Sequence, residues 1–285
     1  MAHSYQSSNK KHKTCAQAVK KEHIKSSRVK YIPSIILLSI AAPLLMFTLL
    51  PKPPAKADPP AGASLNLVGA PNARDIGGYL TAAGRKIKTG VVFRSNALNS
   101  LTQHDVKILE THHIGQVVDL RSAEERGVTP DVTMPEVREI WTPVMADIPA
   151  NSPGPTNELD GVDLYQRMSS DPESRHAFAA LLREIIQNPE PTLFHCTSGK
   201  DRTGWATALL LTSLGVPRSQ VTQDYLLSNI RTNTDSKDTK VNARWLDAAF
   251  DQSIADYGSM TGYIRDGLGL SDEEVQSLRN KLVQP

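Results

Sequence analysis

At 285 residues, with 39% hydrophobic and 22% charged side chains, the chain has the composition of an ordinary globular protein and can bury one sizeable core. Its formal net charge of +2 conceals an uneven distribution: residues 1–30 carry eight Lys and Arg against Glu22 alone, Lys52 and Lys56 add two more, and residues 58–285 are left at −7. An acidic body behind a basic leader excludes the basic folded patch that a nucleic-acid-binding domain needs.

Residues 31–50 contain no charge and are almost wholly apolar. A basic flank, this apolar run and then Ala55-Lys56-Ala57 form the pattern of a secretory signal, with cleavage expected after Ala57 and Asp58 as the new N-terminus. The run approaches the roughly 20 residues that span a bilayer, so an uncleaved single-span anchor is the rival expectation. The excess of Lys and Arg before it predicts an exported body in either case. Pro33 and Pro43 interrupt the run and no polar face exists, which argues against a buried core helix. Pro51, Pro53, Pro54, Pro59 and Pro60 mark an extended spacer. The expected organisation is a leader over 1–57, a linker over 58–63 and a folded domain over 64–285.

Val91–Arg94 predicts a short strand, and Thr102 opens a helix through Glu110 with Val106 and Leu109 on one face. Gly115–Arg121 predicts a buried strand and Val137–Val144 another. Asp163–Asn188 reads as two helices, with Tyr165 on the first and Phe178 and Leu182 on the amphipathic second, Ser174–Gln187. Thr192–Cys196 is a strand, and Thr203–Leu214 a strongly apolar helix closed by Gly215 and Pro217. Such alternation predicts an α/β fold with a central, mainly parallel sheet flanked by helices.

Of the two cysteines, Cys15 lies in the leader and Cys196 deep in the body, so no disulfide framework is expected. A lone thiol is either inert filler or a nucleophile, and the surroundings of Cys196 favour the second. A buried strand runs into His195-Cys196-Thr197-Ser198-Gly199-Lys200-Asp201-Arg202-Thr203-Gly204, which opens the apolar helix. Loop amides and the first free helix N–H groups then converge on one anion site. The same field favours a thiolate at the strand end. Arg202, five residues after Cys196, brings a planar fork back to the rim to bind phosphate oxygens. Thr197, Ser198, Gly199, Lys200 and Thr203 are the remaining candidate phosphate contacts. Gly199 supplies backbone freedom, Lys200 a second cation, and Thr203 a hydroxyl for the sulfur. His195 is a candidate for orienting the loop.

This ten-residue loop resembles the signature of the protein-tyrosine phosphatase superfamily. It is most similar to bacterial tyrosine/serine phosphatases sharing HCxxGKDRTG, which include a secreted, lipid-active mycobacterial enzyme. The segments Asn72–Gly78, Val92–Ser95, Val118–Ser122, Asp224–Asn229 and Gly269–Glu274 are similar to that family in the same order, so the resemblance runs from about residue 64 to the C-terminus. It implies the cysteine-phosphatase fold, with a helical pair in this family forming a lid; from the residues alone, two helices packed on the sheet fit equally well. An ATP-binding P-loop is excluded because Lys200 precedes Asp201 rather than Ser or Thr. Low-molecular-weight phosphatases carry their cysteine at the start of the domain, unlike this chain.

The leaving oxygen needs a general acid. Asp201, inside the loop where the resembling family also places an aspartate, is the first candidate, and Asp147 on a separate turn is the alternative. Asp119 and Arg121 either line the pocket or form a structural ion pair, and no chemistry attaches to Arg74-Asp75. The His residues show no ligand spacing, so neither metal nor cofactor is expected. The expected activity is hydrolysis of phosphate monoesters through a phosphocysteine. Phosphotyrosine is the leading substrate, with phosphoserine, phosphothreonine or phosphoinositide beside it, because Lys200 sits where a lipid phosphatase also places its lysine. The rivals are an exported phosphatase of small organic or inositol phosphates, a non-catalytic phosphate-binding module and a rhodanese-like sulfur transferase. The partners expected are therefore phosphorylated proteins or phosphoinositides, with a membrane involved only through residues 31–50.

Overall fold

The computed structural model describes residues 59–147, 149, 158–232 and 240–285. The basic leader, the apolar run over 31–50 and the cleavage position at Ala57 lie outside the described residues. Among those described, no helix is long and apolar enough to cross a membrane.

Five strands form one mixed sheet: β1 (Arg74–Asp75), β2 (Val92–Ser95), β3 (Gln116–Asp119), β4 (Arg138–Trp141) and β5 (Thr192–His195). Their spatial order is β1-β2-β5-β3-β4, with β1 antiparallel to β2 and every other pair parallel. Between and after them run α1 (Gln103–Thr111), α2 (Ala123–Val128), α3 (Glu158–Ser170), α4 (Pro172–Gln187), α5 (Arg202–Ser213), α6 (Arg218–Arg231), α7 (Ala243–Tyr257) and α8 (Asp272–Leu282). A short turn, Met260–Gly262, leads into π-helical Tyr263–Gly267 before α8.

β5 lies at the centre, and its period-two alternation serves both faces of the sheet. Phe93, Leu193 and Val117 align across β2, β5 and β3 and face a core with Leu98, Leu109 and Ile114. Phe194 and Val118 face the larger core, which holds Trp205, Leu209, Phe178, Leu182 and Phe250. Cys196 leaves β5 on this larger-core side and is only 2% exposed.

The expected β4 over Val137–Val144 is shorter, at Arg138–Trp141, and mostly exposed. It pairs only with β3, and an edge strand has one free flank that needs no apolar residues. Helices α6 to α8 follow Pro217, where only short motifs are legible in the sequence, because much of their surface is polar and α6 is buried chiefly at Val221, Asp224, Tyr225 and Ser228.

The two helices expected over Asp163–Asn188 are α3 and α4, and both pack into the core. Tyr165 and Met168 of α3 and Phe178 and Ile185 of α4 are fully buried. The described face of α3 meets α7, where a Cβ added at Gly161 would stand 2.0 Å from the Trp245 ring.

Gly161→Ala should therefore cost about 1–3 kcal/mol by overpacking, despite the helix propensity that alanine adds. Gly127→Ala on exposed α2, where nothing lies within 4 Å of the new methyl, should be neutral or stabilise by about 0.5–1 kcal/mol. Thermal melts of the two variants check the contrast, which vanishes if α3 and α7 can separate freely.

Candidate active site

The loop from Cys196 to Asp201 joins the central strand to α5. Gly199 has φ +67°, and a Cβ there would lie 2.4 Å from the carbonyl oxygen of Ser95, so no larger residue fits. Asp201 stands at the N-cap of α5 but makes no side-chain capping bond. An aspartate at that place ordinarily accepts from the first-turn amides. Here those donors stay available for an anion, and the carboxyl turns elsewhere.

The back of the loop is held by side chains from far along the chain. Asn72 Nδ2 donates to the carbonyls of Ser198 and Gly199 at 3.2 and 3.0 Å, and Arg94 Nη2 donates to Gly199 at 2.8 Å. With those carbonyls fixed outward, the intervening amides are committed to the other side. Asn72 Oδ1 accepts from Arg74 Nη1 at 2.6 Å. Arg74 and Arg94 then share the Asp224 carboxylate, at 3.1 and 2.5 Å, with all three side chains at most 1% exposed. Tyr79 adds a hydroxyl to Asp224. Burial and the neighbouring Arg74 pull Arg94 down to about 10, which leaves it charged at neutral pH. Asp224, opposed by burial but held by both arginines, is brought down to about 2. Two guanidiniums on one carboxylate leave net positive charge beneath the loop, and Arg94 interacts electrostatically with Cys196.

Arg202 is locked from the other side. Its Nη1 and Nη2 each donate to Glu125 of α2 at 2.6 Å, a bidentate pair, and Nη2 also reaches Thr197 Oγ1 at 3.3 Å. Thr197 donates in turn to Glu125, and Ser122 and Glu125 form the capping box that starts α2. Burial raises the Glu125 carboxyl, but the bonds from Arg202 outweigh it and set the group at about 2.

His195 Nδ1 donates to the carbonyl of Cys196 at 3.1 Å, and its Nε2 lies 3.1 Å from Asp131 Oδ2. Asp119, Asp131 and His195 are close enough together to suggest a cation site, but Arg121 already occupies it. Its Nη2 donates to Asp119 at 2.8 Å and to Asp131 at 2.6 Å. A fixed guanidinium between the two carboxylates leaves no vacancy for a metal ion. Asp119 and Arg121 are thus a structural ion pair behind the loop.

Thr203 Oγ1 is fully buried and has no hydrogen-bond partner among the described residues. Lys200 is 7% exposed, and burial lowers its ammonium while Asp201 and Cys196 hold it up. The two candidate acids differ sharply. Asp147 is exposed and ion-paired with Arg167, whose hydrogen bond keeps its carboxyl below the usual range and so ionised. Asp201 accepts a hydrogen bond from Tyr165 Oη at 2.9 Å. Burial raises its carboxyl above the ordinary value, against the lowering effects of Tyr165, Lys200 and Arg202. Of the two carboxyls, only the one in the loop is raised above its ordinary value.

Sequence reasoning missed Asn72, Arg94, Glu125, Tyr165 and Asp224. All but Tyr165 and Glu125 fall in segments where the family likeness is visible, but their partners are distant and no local spacing joins them. Glu125 carries one local signal, the Ser122-to-Glu125 capping box.

A model of the tyrosine phosphatase family matches residues 65–284. The chain belongs to this family. A protein of Cupriavidus necator named as a tyrosine-protein phosphatase is 30% identical, over 85% of this chain and 96% of its own. The triple specificity protein phosphatase PtpB of Mycobacterium tuberculosis is also 30% identical, over 76% of this chain and 98% of its own. A tyrosine-protein phosphatase of Nostoc commune is 26% identical, over 67% of this chain and 74% of its own. The chain is accordingly a phosphoric monoester hydrolase of the protein-tyrosine-phosphatase type.

Because Glu125 titrates near 2 in the fold against an ordinary 4.5, its stabilising contribution is present above about pH 4.5 and is lost as pH falls towards 2. The melting-temperature gap between the wild type and Glu125→Gln should therefore narrow between about pH 6 and pH 3. A gap that stays constant over that interval would show that the Arg202 pair does not stabilise the fold.

Proposed function

We propose that Cys196 is the nucleophile of a two-step hydrolysis and that Asp201 is its general acid. The observation that carries this reading is the division of labour around one loop. Cys196 begins the loop directly after the central strand, Arg202 is fixed by Glu125 at the side of Thr197, and Asp201, raised above an ordinary carboxyl, leaves the helix start uncapped. The Cys196 thiolate attacks phosphorus and the bond to the leaving oxygen breaks. The Asp201 carboxyl gives its proton to that oxygen, while Arg202 and the loop amides bind the equatorial oxygens. Water then attacks the phosphocysteine, Asp201 takes a proton from that water, and phosphate leaves as the Cys196 thiolate is restored. The buried Thr203 hydroxyl is available to hydrogen-bond the sulfur as it departs. Thr197, Ser198, Gly199 and Lys200 complete the phosphate cradle.

The substrate reading is phosphotyrosine, with phosphoserine, phosphothreonine and phosphoinositides as further candidates. The names carried by the three relatives support the first, and the triple specificity of PtpB supports the breadth. Lys200, placing a second cation at the mouth, favours polyanionic head groups. The proposed location of residues 64–285 is outside the cytoplasm, either released after cleavage at Ala57 or anchored by residues 31–50.

Cys196→Ser should abolish turnover of phosphotyrosine peptide, phosphoserine peptide and phosphoinositide while inorganic phosphate still binds. Asp201→Asn should lower kcat by roughly 10²–10⁴-fold on alkyl phosphates and far less on 4-nitrophenyl phosphate, whose leaving group needs no proton. Phosphate release measured over the panel checks both, and substantial turnover by Cys196→Ser would overturn the nucleophile assignment.

A further inference from the structure

The proposed acid is the end of a buried chain of hydroxyl groups. Tyr165 of α3 donates to Asp201 Oδ1 at 2.9 Å, and the hydroxyls of Tyr165 and Tyr225 of α6 are 2.7 Å apart. Tyr165 is 0% and Tyr225 1% exposed, with their rings edge-to-face at 6.0 Å. The Trp245 ring of α7 lies 6.4 Å from Tyr165 on a further side. Both tyrosines are thus buried in the core, while Asp201 at the end of the chain keeps partial exposure.

The direction of the chain follows from hydrogen-bond inventory. When Asp201 is ionised it only accepts, so Tyr165 then donates its single proton to it. Its oxygen can then only accept from Tyr225, whose proton points along the chain. Both phenol groups are raised well above 10, by burial first and then by the Asp201 charge, so neither gives up its proton during turnover. The chain orders and polarises the acid; it is not a proton wire.

We propose that Tyr165, backed by Tyr225, is a positioning residue for the acid step: it occupies Oδ1 of Asp201, so the transferable proton resides on the other carboxyl oxygen. This rests on the reading of Asp201 as general acid. An oxygen that already accepts from Tyr165 is the poorer site for a proton, and the remaining oxygen is left to meet the leaving group. The same bond favours the ionised carboxylate, which is the form needed as base in the second step. It therefore counteracts the burial that raises Asp201. A carboxyl with burial alone would donate readily but recover slowly as a base. One with the hydroxyl chain serves both halves of the cycle.

The charged and titratable groups facing Asp201 are Lys200 of the loop, Arg202 of α5, Tyr165 of α3 and Tyr225 of α6. The hydrogen bond that the Tyr165 variant loses is the one to Asp201, so a limb that moves in that variant belongs to Asp201. Removing the donor destabilises the carboxylate, and the sign is therefore an upward shift of the alkaline limb, where Asp201 loses its proton.

The test is the pH profile of kcat/KM for full-length wild type, Tyr165→Phe, Tyr225→Phe and Asp201→Asn, on 4-nitrophenyl phosphate and on an alkyl phosphate. Tyr165→Phe should move the alkaline limb up by about one pH unit, the size expected for losing one hydrogen bond to a charged group. Its kcat should fall about tenfold more on the alkyl phosphate than on 4-nitrophenyl phosphate, since only the former needs a well-placed proton. Tyr225→Phe, which leaves Tyr165 a weaker donor, should shift the limb in the same direction by less, and it serves if Tyr165→Phe folds poorly. Equal losses on both substrates with an unmoved limb would overturn the proposal and leave Tyr165 as a packing residue. Asp201→Asn separates the two readings. If it abolishes the alkaline limb while Tyr165→Phe does not move it, the positioning role fails and the acid assignment stands. If Asp201→Asn keeps the limb, the acid assignment itself fails.

Discussion

The site depends on two guanidiniums sharing one buried carboxylate. Arg74 and Arg94 meet at Asp224 with no solvent around them, and the surplus positive charge stays in the interior directly under the phosphate loop. Burying two cations for one anion is costly unless the geometry satisfies their donors. Here Asn72, Ser228 and the carbonyl of Gly199 accept the remaining arginine bonds and Tyr79 donates to the shared carboxylate, although Arg94 Nε finds no partner among the described residues. The cost yields a fixed positive field and a loop whose carbonyls cannot turn inward. The Arg202–Glu125 pair on the opposite side is neutral overall. It sets the angle of the fork rather than the sign of the field.

Strand β5, the loop and α5 were legible because the chemistry and the fold are local there. Ten consecutive residues carry the candidate nucleophile, fork and acid, and the apolar runs on either side announce a strand and a helix. The alternation that predicted a mainly parallel sheet also held, with β1 as the antiparallel addition. What the sequence could not display is pairing at a distance. Arg74 drew no assignment because its carboxylate partner is 150 residues away at Asp224. Tyr165 reads as one more aromatic on the first of two helices until α3 is docked against α6 and α7. Of two aspartates near predicted loops, only their surroundings separate a group held ionised by Arg167 from one raised by burial.

Asp201 illustrates how function alters a local rule. A helix N-cap aspartate that does not cap forgoes roughly 1 kcal/mol of helix stability. The strongly apolar α5, buried along nearly its whole length from Trp205 to Leu211, supplies that stability through packing instead. The helix start is thus left with free amides, and the carboxyl is left to Tyr165.

The distances along the chain between the loop and its supports bear on how the protein acquires activity. Asn72 and Arg94 precede the loop by more than 100 residues, and Asp224 follows it, so the anion site closes only after segments from both ends of the fold have docked. Contacts of such sequence separation are slow to form, because the loop-closure entropy must be spent before they can stabilise anything. Catalytic competence is consequently a property of the completed topology: a nascent, partly threaded or clipped chain holds every residue of the signature loop and still lacks an anion site.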